Sequence, residues 1–402
     1  MNAATLDFIQ QHAQDDVRQL ALRTVPSEVD LRTALTQIEG RQLAARKIPT
    51  WAATDGLLFP PRLAMEQCSS EATARYKQVL LREKKKEDAS FIDLTAGFGV
   101  DFAAIAPLFT SATYVDRQEE LCRLARHNLP LLGCTHTEVC CTSAEEMLDT
   151  LAKEPRQSRV LMMDPARRDA AGRKVALIED CTPDVCRLQE QLRALADYTL
   201  IKLSPMLDVT AAVHALRGIE EVHIVSVEGE CKELLLVMTA DSMIPSTPAI
   251  HCVNLPCEST FTFRMTEEEA ATAQMAEHLC NYLYEPNASI LKAGAFKTIC
   301  QRYPVCKLSP EAHLYTSDQF IANFPGRRWR ILDHATFNKK DLKRLRAGIA
   351  AADLTVRGFP MSVAALRRQL RLNEGGQHHL IATTIARQRC LLRVERILHH
   401  EP

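Results

Sequence analysis

The residues best suited to chemistry lie in Phe91–Asp101, which reads F-I-D-L-T-A-G-F-G-V-D. Phe91, Ile92 and Leu94 end a short apolar strand, and Thr95, Ala96, Gly97 and Gly99 keep side chains small where a ligand would approach the backbone. Phe102, Ile105, Ala106 and Phe109 then recur at helical spacing. Strand, glycine turn and helix in that order open a nucleotide-binding α/β unit, whose helix N-terminus and bare amides suit an anionic or polar group. A dinucleotide loop needs a small residue where Phe102 stands, which disfavours a nicotinamide enzyme. Acids flank this loop instead, Asp93 before it and Asp101 after it. Asp101 could equally do no more than offset the dipole of the first helical turn.

Further candidates follow along the chain. Thr113–Asp116 reads as a second strand, and Asp116 stands at the distance from Gly97 where an acid meets ribose hydroxyls. Thr137–Cys141 is a third strand, after which Ser143-Ala144-Glu145 opens a helix with Ser143 as a plausible N-cap. Arg159–Met163 is a buried strand ending in Asp164-Pro165-Ala166-Arg167, at the edge where α/β sheets bind ligands. An acid there can accept hydrogen bonds from a target amine and turn its lone pair toward an electrophile. The Arg167 guanidinium can stack on a base. Asp-Pro can also be a plain strand terminator. Thr199–Pro205 is the next strand, ending in a Ser204-Pro205 turn, and Val222–Val227 and Glu233–Met238 form a hairpin around Glu228-Gly229-Glu230.

The surrounding chain must position these groups. Residues 1–88 carry apolar residues at helical spacing, broken at Pro26, Pro49 and Phe59-Pro60-Pro61; 89–247 alternate strand and helix; 248–323 form a small mixed module; 324–402 are basic. The last part has a helix expected over Lys339–Ala352, another over Val363–Leu372 capped by Ser362, and strands at His378–Ile385 and Cys390–Ile397. It holds 16 Lys+Arg against 6 Asp+Glu in a chain of net charge −1, so an anionic partner would be held by that end. Arg327, Arg328, Arg357, Arg367, Arg368 and Arg371 suit phosphate contacts, although a solvated basic face is the plain alternative. No RNP-like aromatic pair or GXXG clamp supports base reading by this module. No apolar run reaches the ~18 residues of a membrane span, and Met1–Asp7 lacks a signal-peptide pattern. The 14 cysteines include no C-x-x-C pair, which points to reduced thiols in a cytoplasmic protein without a structural metal.

D-x-x-x-G-x-G-x-D resembles motif I of class I S-adenosylmethionine-dependent methyltransferases. The likeness extends through Glu66–Glu71 (E-Q-C-S-S-E), Asp164–Arg168, Lys202–Asp208 (K-L-S-P-M-L-D), Tyr284–Ala288 and Arg357–Leu372 with Gly375-Gly376. Together these pieces resemble a bacterial family of such enzymes with a small ferredoxin-like module over 248–323 and a THUMP-like domain over 324–402. The resemblance implies a Rossmann-like α/β methyltransferase sheet over 89–247, preceded by a helical region and followed by small α+β modules. It implies S-adenosylmethionine as cofactor and RNA, tRNA or rRNA, as substrate. Asp93, Thr95, Ala96, Gly97, Gly99 and Asp101 would hold the methionine end, where an ammonium favours nearby carboxylates. Asp116 would take the ribose, Ser143, Ala144 and Glu145 would flank the adenine, and Pro165 would line the cleft. Asp164, Arg167 and Ser204 would face the target base. Ser143 replaces the family's usual acid, and Ala166 and Arg167 replace the proline and aromatic that follow Asp-Pro in methyltransferases acting on exocyclic base nitrogens. A small-molecule methyltransferase, or a protein that binds cofactor and RNA without turnover, therefore stays open.

Overall fold

The computed structural model describes residues 1–166, 177–240, 247–256 and 259–398. The chain divides into two compact units: Met1–Val222 with Glu233–Ser246, and His223–Lys232 with Thr247–Pro402.

In the first unit six helices precede the sheet: α1 (Ala3–Gln11), α2 (Val17–Leu20), α3 (Leu31–Lys47), α4 (Pro49–Ala53), α5 (Arg62–Gln67) and α6 (Glu71–Lys84). Their starts are set by local chemistry. Asn2, Asp16, Asp30 and Ser70 each accept a hydrogen bond from an amide in the helix they open, and Pro49 stands where a helix needs no N–H. Gly40, in α3, lies against Phe59 so closely that a Cβ would overlap the phenylalanine's Cβ.

The α/β part follows as β1 (Ser90–Asp93), α7 (Val100–Ile105), β2 (Ala112–Asp116), α8 (Glu119–Leu131), β3 (Thr137–Cys141), α9 (Ala144–Leu151), β4 (Arg159–Met163), α10 (Val185–Leu195), β5 (Tyr198–Leu203), α11 (Val209–Ala215), β6 (Ile219–Val227) and β7 (Glu230–Thr239). These strands lie in the order β3-β2-β1-β4-β5-β7-β6. β1 to β5 are mutually parallel, and β7 runs antiparallel to β5. This is a Rossmann-like sheet with the antiparallel closing strand that the hairpin pattern anticipates. The order changes direction between β1 and β4, which places the ligand crevice beyond their carboxyl ends.

The second unit contains an antiparallel pair, β8 (Ala249–Leu255) and β9 (Ser259–Arg264), then α12 (Met265–Ala270). A further sheet is built from β10 (Tyr282–Pro286), β11 (Cys306–Lys307), β12 (Tyr315–Ser317), β13 (Gly326–Thr336), β14 (Asp353–Val356), β15 (His379–Ile385) and β16 (Gln388–Arg396), in the order β11-β12-β10-β13-β16-β15-β14. α13 (Ala288–Ala293), α14 (Thr298–Arg302), α15 (Lys339–Leu345) and α16 (Val363–Leu370) connect its strands. The register of β13 against β16 shifts between Ile331 and Asp333. The shift lets Trp329 and Ile331 join one core with Leu283 and Leu314, while Ala335 joins the opposite core with Leu342 and Leu366. α15 and α16 thus cover the same sheet face. The basic helix expected to reach Ala352 ends at Leu345, because Gly348 takes a left-handed φ of 80° that breaks the helical run.

One prediction follows from the Gly40 contact. Alanine is the better helix former by about 1 kcal/mol. Overpacking costs about 1–3 kcal/mol, so Gly40→Ala is expected to destabilise the protein in chemical denaturation. Equal or greater stability would contradict the close approach of α3 to Phe59.

Candidate active site

The glycine loop is clamped from the neighbouring strand. The Gly97 amide donates to Asp116 Oδ2 at 3.0 Å, the Gln118 amide donates to Asp116 Oδ1 at 2.8 Å, and the Ala96 amide donates to the Val115 carbonyl at 2.9 Å. The Tyr114 hydroxyl donates to the Gly97 carbonyl. Gly97 and Gly99 have φ of 60° and 87°, which favours glycine at both. The side chains beside them point into the protein. Phe98 packs on Trp51 and Phe59, and Phe102 packs between Phe91 and Tyr114. A Cβ at Gly97 would meet only the Thr95 carbonyl, at 3.9 Å, so this side of the loop is open. Burial pushes Asp116 above the ordinary carboxylate range, opposed by the Gln118 and Gly97 amides.

Asp93 ends β1 and accepts from the Thr95 amide at 3.1 Å. Thr95 Oγ1 in turn accepts from the Asp164 amide at 2.6 Å, tying the ends of β1 and β4 together. Burial holds Asp93 well above its usual range; Asp101 and Asp164 add to this, and the Thr95 amide and Lys202 oppose it. The Asp164 carboxylate pairs with Lys202. Pro165 is buried beside it, and Ala166 is exposed. Ser204 follows β5, and its Oγ accepts from the Met206 amide at 3.2 Å. Arg167 lies outside the described residues.

A second charged group adjoins these residues, and the sequence reading did not assemble it. Lys77 is completely buried on α6. Its Nζ lies 2.5 Å from Glu233 Oε2, 3.1 Å from Asp101 Oδ1 and 3.2 Å from Ser69 Oγ. Ser69 Oγ is 2.6 Å from Asp101 Oδ2 and 3.2 Å from Glu233 Oε1. Burial works against the charge of Glu233, but Lys77 and then Lys202 outweigh it and hold its pKa below the usual range. Asp101 is therefore engaged by Ser69 and Lys77 as well as standing in the first turn of α7. A signal was present: Lys77 occupies the apolar stripe of α6, with Thr73, Ala74, Leu80 and Leu81.

Ser143 caps α9. Its Oγ accepts from the Glu146 amide at 3.2 Å, and Glu146 Oε2 accepts from the Ser143 amide at 3.1 Å. Ala144 is buried and Glu145 exposed. All three follow β3, which pairs with β2, so they stand on the same sheet edge as Asp116.

The arginines of the second unit divide by role. Glu285 is buried and pairs with Arg357 and Arg327. Arg328 is buried and donates to the Ala322 carbonyl, and Arg367 donates to the Ala352 and Asn373 carbonyls at 3.1 and 2.8 Å. Four of the six arginines expected at phosphates thus hold the fold. Arg368 and Arg371 are exposed, as are Lys339, Lys340 and Lys343 on the neighbouring helix. His278, Cys280 and Asp318 bring ligand-type atoms within 4.8 Å of one another, a grouping the cysteine spacing does not announce. Among the described residues no helix is long and apolar enough to cross a membrane.

Comparison with known proteins places this geometry. A family described as a ferredoxin-like domain matches residues 282–325, and one described as THUMP domain-like matches 326–396. A solved candidate methyltransferase from Porphyromonas gingivalis W83 is 32% identical, covers 98% of both chains and superposes with a TM-score of 0.85. An uncharacterized S-adenosylmethionine-dependent methyltransferase of Mycobacterium tuberculosis strain H37Rv is 24% identical over 326 residues, 80% of this chain and 83% of that protein. With its sheet order, its acid-flanked glycine loop and these relatives, the chain belongs to the class I S-adenosylmethionine-dependent methyltransferases that carry a ferredoxin-like and a THUMP-like domain.

Proposed function

We propose that this methyltransferase modifies a base in RNA, tRNA or rRNA, with the cofactor lying over the glycine loop and the target base at the end of β4. The observation that carries the reading is the joining of Asp93, the Asp116-clamped loop and the Asp164–Lys202 pair at the ends of adjacent strands. The residues present fit the cofactor. Gly97 offers an open backbone face, and four carboxylates, Asp93, Asp101, Asp164 and Glu233, outnumber the lysines Lys77 and Lys202. A cation arriving beside Asp93 favours its ionised form. When bound, S-adenosylmethionine supplies an electrophilic methyl on a sulfonium. Asp93 and Thr95 to Gly99 would hold its methionine end, with Asp101 supporting the loop from behind. Asp116 has carboxylate lone pairs left for ribose hydroxyls. Ala144 and Glu145 would flank the adenine, beside a Ser143 engaged in its cap. Asp164 and Ser204 would face the acceptor, with Pro165 lining the cleft and Arg167 as a stacking partner.

RNA is favoured over a small molecule by the THUMP-like match and by the exposed cations on α15 and α16, which cover one face of one sheet. Transfer of labelled methyl to bulk RNA tests the reading. Label in RNA supports it, cofactor binding without transfer favours a non-catalytic binder, and label only in small molecules favours the other alternative.

Asp116→Ala is expected to weaken S-adenosylmethionine binding by about 1.5–3 kcal/mol, the worth of a hydrogen bond to a charged group; unchanged affinity in calorimetry would count against the ribose assignment. For RNA, truncation at residue 326 is unsuitable, because β13 pairs with both β10 and β16. Replacing Lys339, Lys340, Arg368 and Arg371 with glutamine in the full chain is expected to flatten the salt dependence of RNA affinity by about one unit of log–log slope per lost phosphate contact. An unchanged slope would remove these helices from the interface.

A further inference from the structure

A second group of chemistry-bearing side chains lies in the second unit, where the ferredoxin-like module begins. His278, Cys280 and Asp318 each offer one ligand-type atom, and the three atoms lie within 4.8 Å of one another. None of them belongs to the residues assigned to cofactor or acceptor.

The backbone that carries them is fixed at several points. Ala276 donates its amide to the Lys307 carbonyl at 2.9 Å and is buried in one core with Leu283 and Leu314. Leu279 packs against the same core, and its two neighbours, His278 and Cys280, come together with Asp318. The Cys280 amide donates to Thr316 Oγ1 at 3.1 Å, and Thr316 Oγ1 donates to the Tyr282 carbonyl at 2.8 Å. One residue on, the Asn281 carbonyl accepts from the Ile331 amide at 2.9 Å. Asp318 follows β12, whose Ser317 pairs with Tyr282 of β10. Beyond it, the Gln319 carbonyl accepts from the Tyr284 hydroxyl at 3.0 Å. The sheet therefore holds all three positions, which lowers the cost of gathering their side chains on one ion.

The donor set selects among the chemistries open to it. The Cys280 thiol lies within hydrogen-bonding reach of Thr316 and Asp318. A carboxylate beside a thiol disfavours the bare thiolate, so the group is poorly built as a Cys–His nucleophile. A dication reverses that balance. It holds thiolate, imidazole and carboxylate together, and the thiol proton leaves to solvent as the metal–sulfur bond forms. One sulfur, one nitrogen and one oxygen suit zinc, whereas magnesium and calcium take oxygen ligands. Zinc–ligand bond lengths put the corners of a tetrahedron about 3.4–3.6 Å apart. The 4.8 Å cluster reaches that spacing with a contraction of at most about 1.4 Å. His278 and Asp318 are exposed and Cys280 is half-buried, so a fourth corner faces water.

We propose that His278, Cys280 and Asp318 form a zinc site with three protein ligands and a solvent-facing fourth position, tying the entry of β10 to the end of β12. The site uses an H-x-C pair and an acid from a neighbouring strand, so the search for C-x-x-C spacing passes over it. It stands independently of the methyl-transfer reading.

The test uses the full chain, reduced and stripped with a chelator. It is titrated with zinc chloride against a chromophoric competitor, and with cobalt chloride by absorption. The wild type is expected to take up one zinc per chain and to melt at a higher temperature when loaded. With cobalt it is expected to show a thiolate-to-metal charge-transfer band and the intense d–d bands of a four-coordinate site. Cys280→Ser is expected to lose the charge-transfer band. His278→Gln and Asp318→Asn are expected to bind zinc at least tenfold more weakly, the lower end of what disturbing even a supporting shell costs. Cys141→Ser, which removes an exposed thiol elsewhere in the chain, is expected to bind as the wild type does. His278 and Asp318 are exposed, so their variants decide the matter should Cys280→Ser not fold. A charge-transfer band that survives in Cys280→Ser, or unchanged affinity in either His278→Gln or Asp318→Asn, would assign the metal to other side chains and overturn the proposal. So would a wild type that takes up no zinc against the competitor.

Discussion

Two lysines among four carboxylates organise the carboxyl edge of the sheet. Lys77 is completely buried and relies on Glu233 and Asp101 as its charge partners. Lys202 depends in the same way on Asp164. Removing one partner of a buried pair typically costs about 3–5 kcal/mol, because a lone charge is left behind. The cluster therefore acts as a clamp as well as a field. It joins α6, α7 and β7, elements far apart in sequence, behind the loop that would meet the cofactor.

The clamp gives the N-terminal helices a definite purpose. Ser69 lies between α5 and α6 and reaches Asp101 directly. Phe98, at the tip of the glycine loop, sits in a core made with Trp51, Phe59 and Met65. The helical region thus packs the back of the loop, and the open side of Gly97 is left for a ligand. The loop is shaped from both directions, by apolar packing beneath and by Asp116 alongside.

Much of this was readable from residue order. The strand–glycine–helix run located the loop, Phe102 argued against a dinucleotide, and the hairpin after β5 anticipated the antiparallel closing strand. What escaped was long-range pairing. Glu233 reads as one more residue of an apolar strand, and Lys77, although it lies on the apolar stripe of α6, has no visible partner until tertiary structure brings the two to 2.5 Å. The same limit applied to the basic C-terminal part. Charge counting treats every arginine alike, but buried Glu285 claims Arg327 and Arg357, and Arg367 serves carbonyls at the start and end of its own substructure. The α15 boundary was misplaced for a local reason, since one left-handed glycine outweighs the helix-forming residues around it.

The most direct test of the account is a crystal structure with S-adenosylhomocysteine bound. The account predicts the ribose hydroxyls at Asp116, the amino-acid end along Asp93 to Gly99, and the sulfur facing the Asp164–Lys202 pair. A ligand bound elsewhere, or one in this crevice with its sulfur turned away from Asp164, would contradict it.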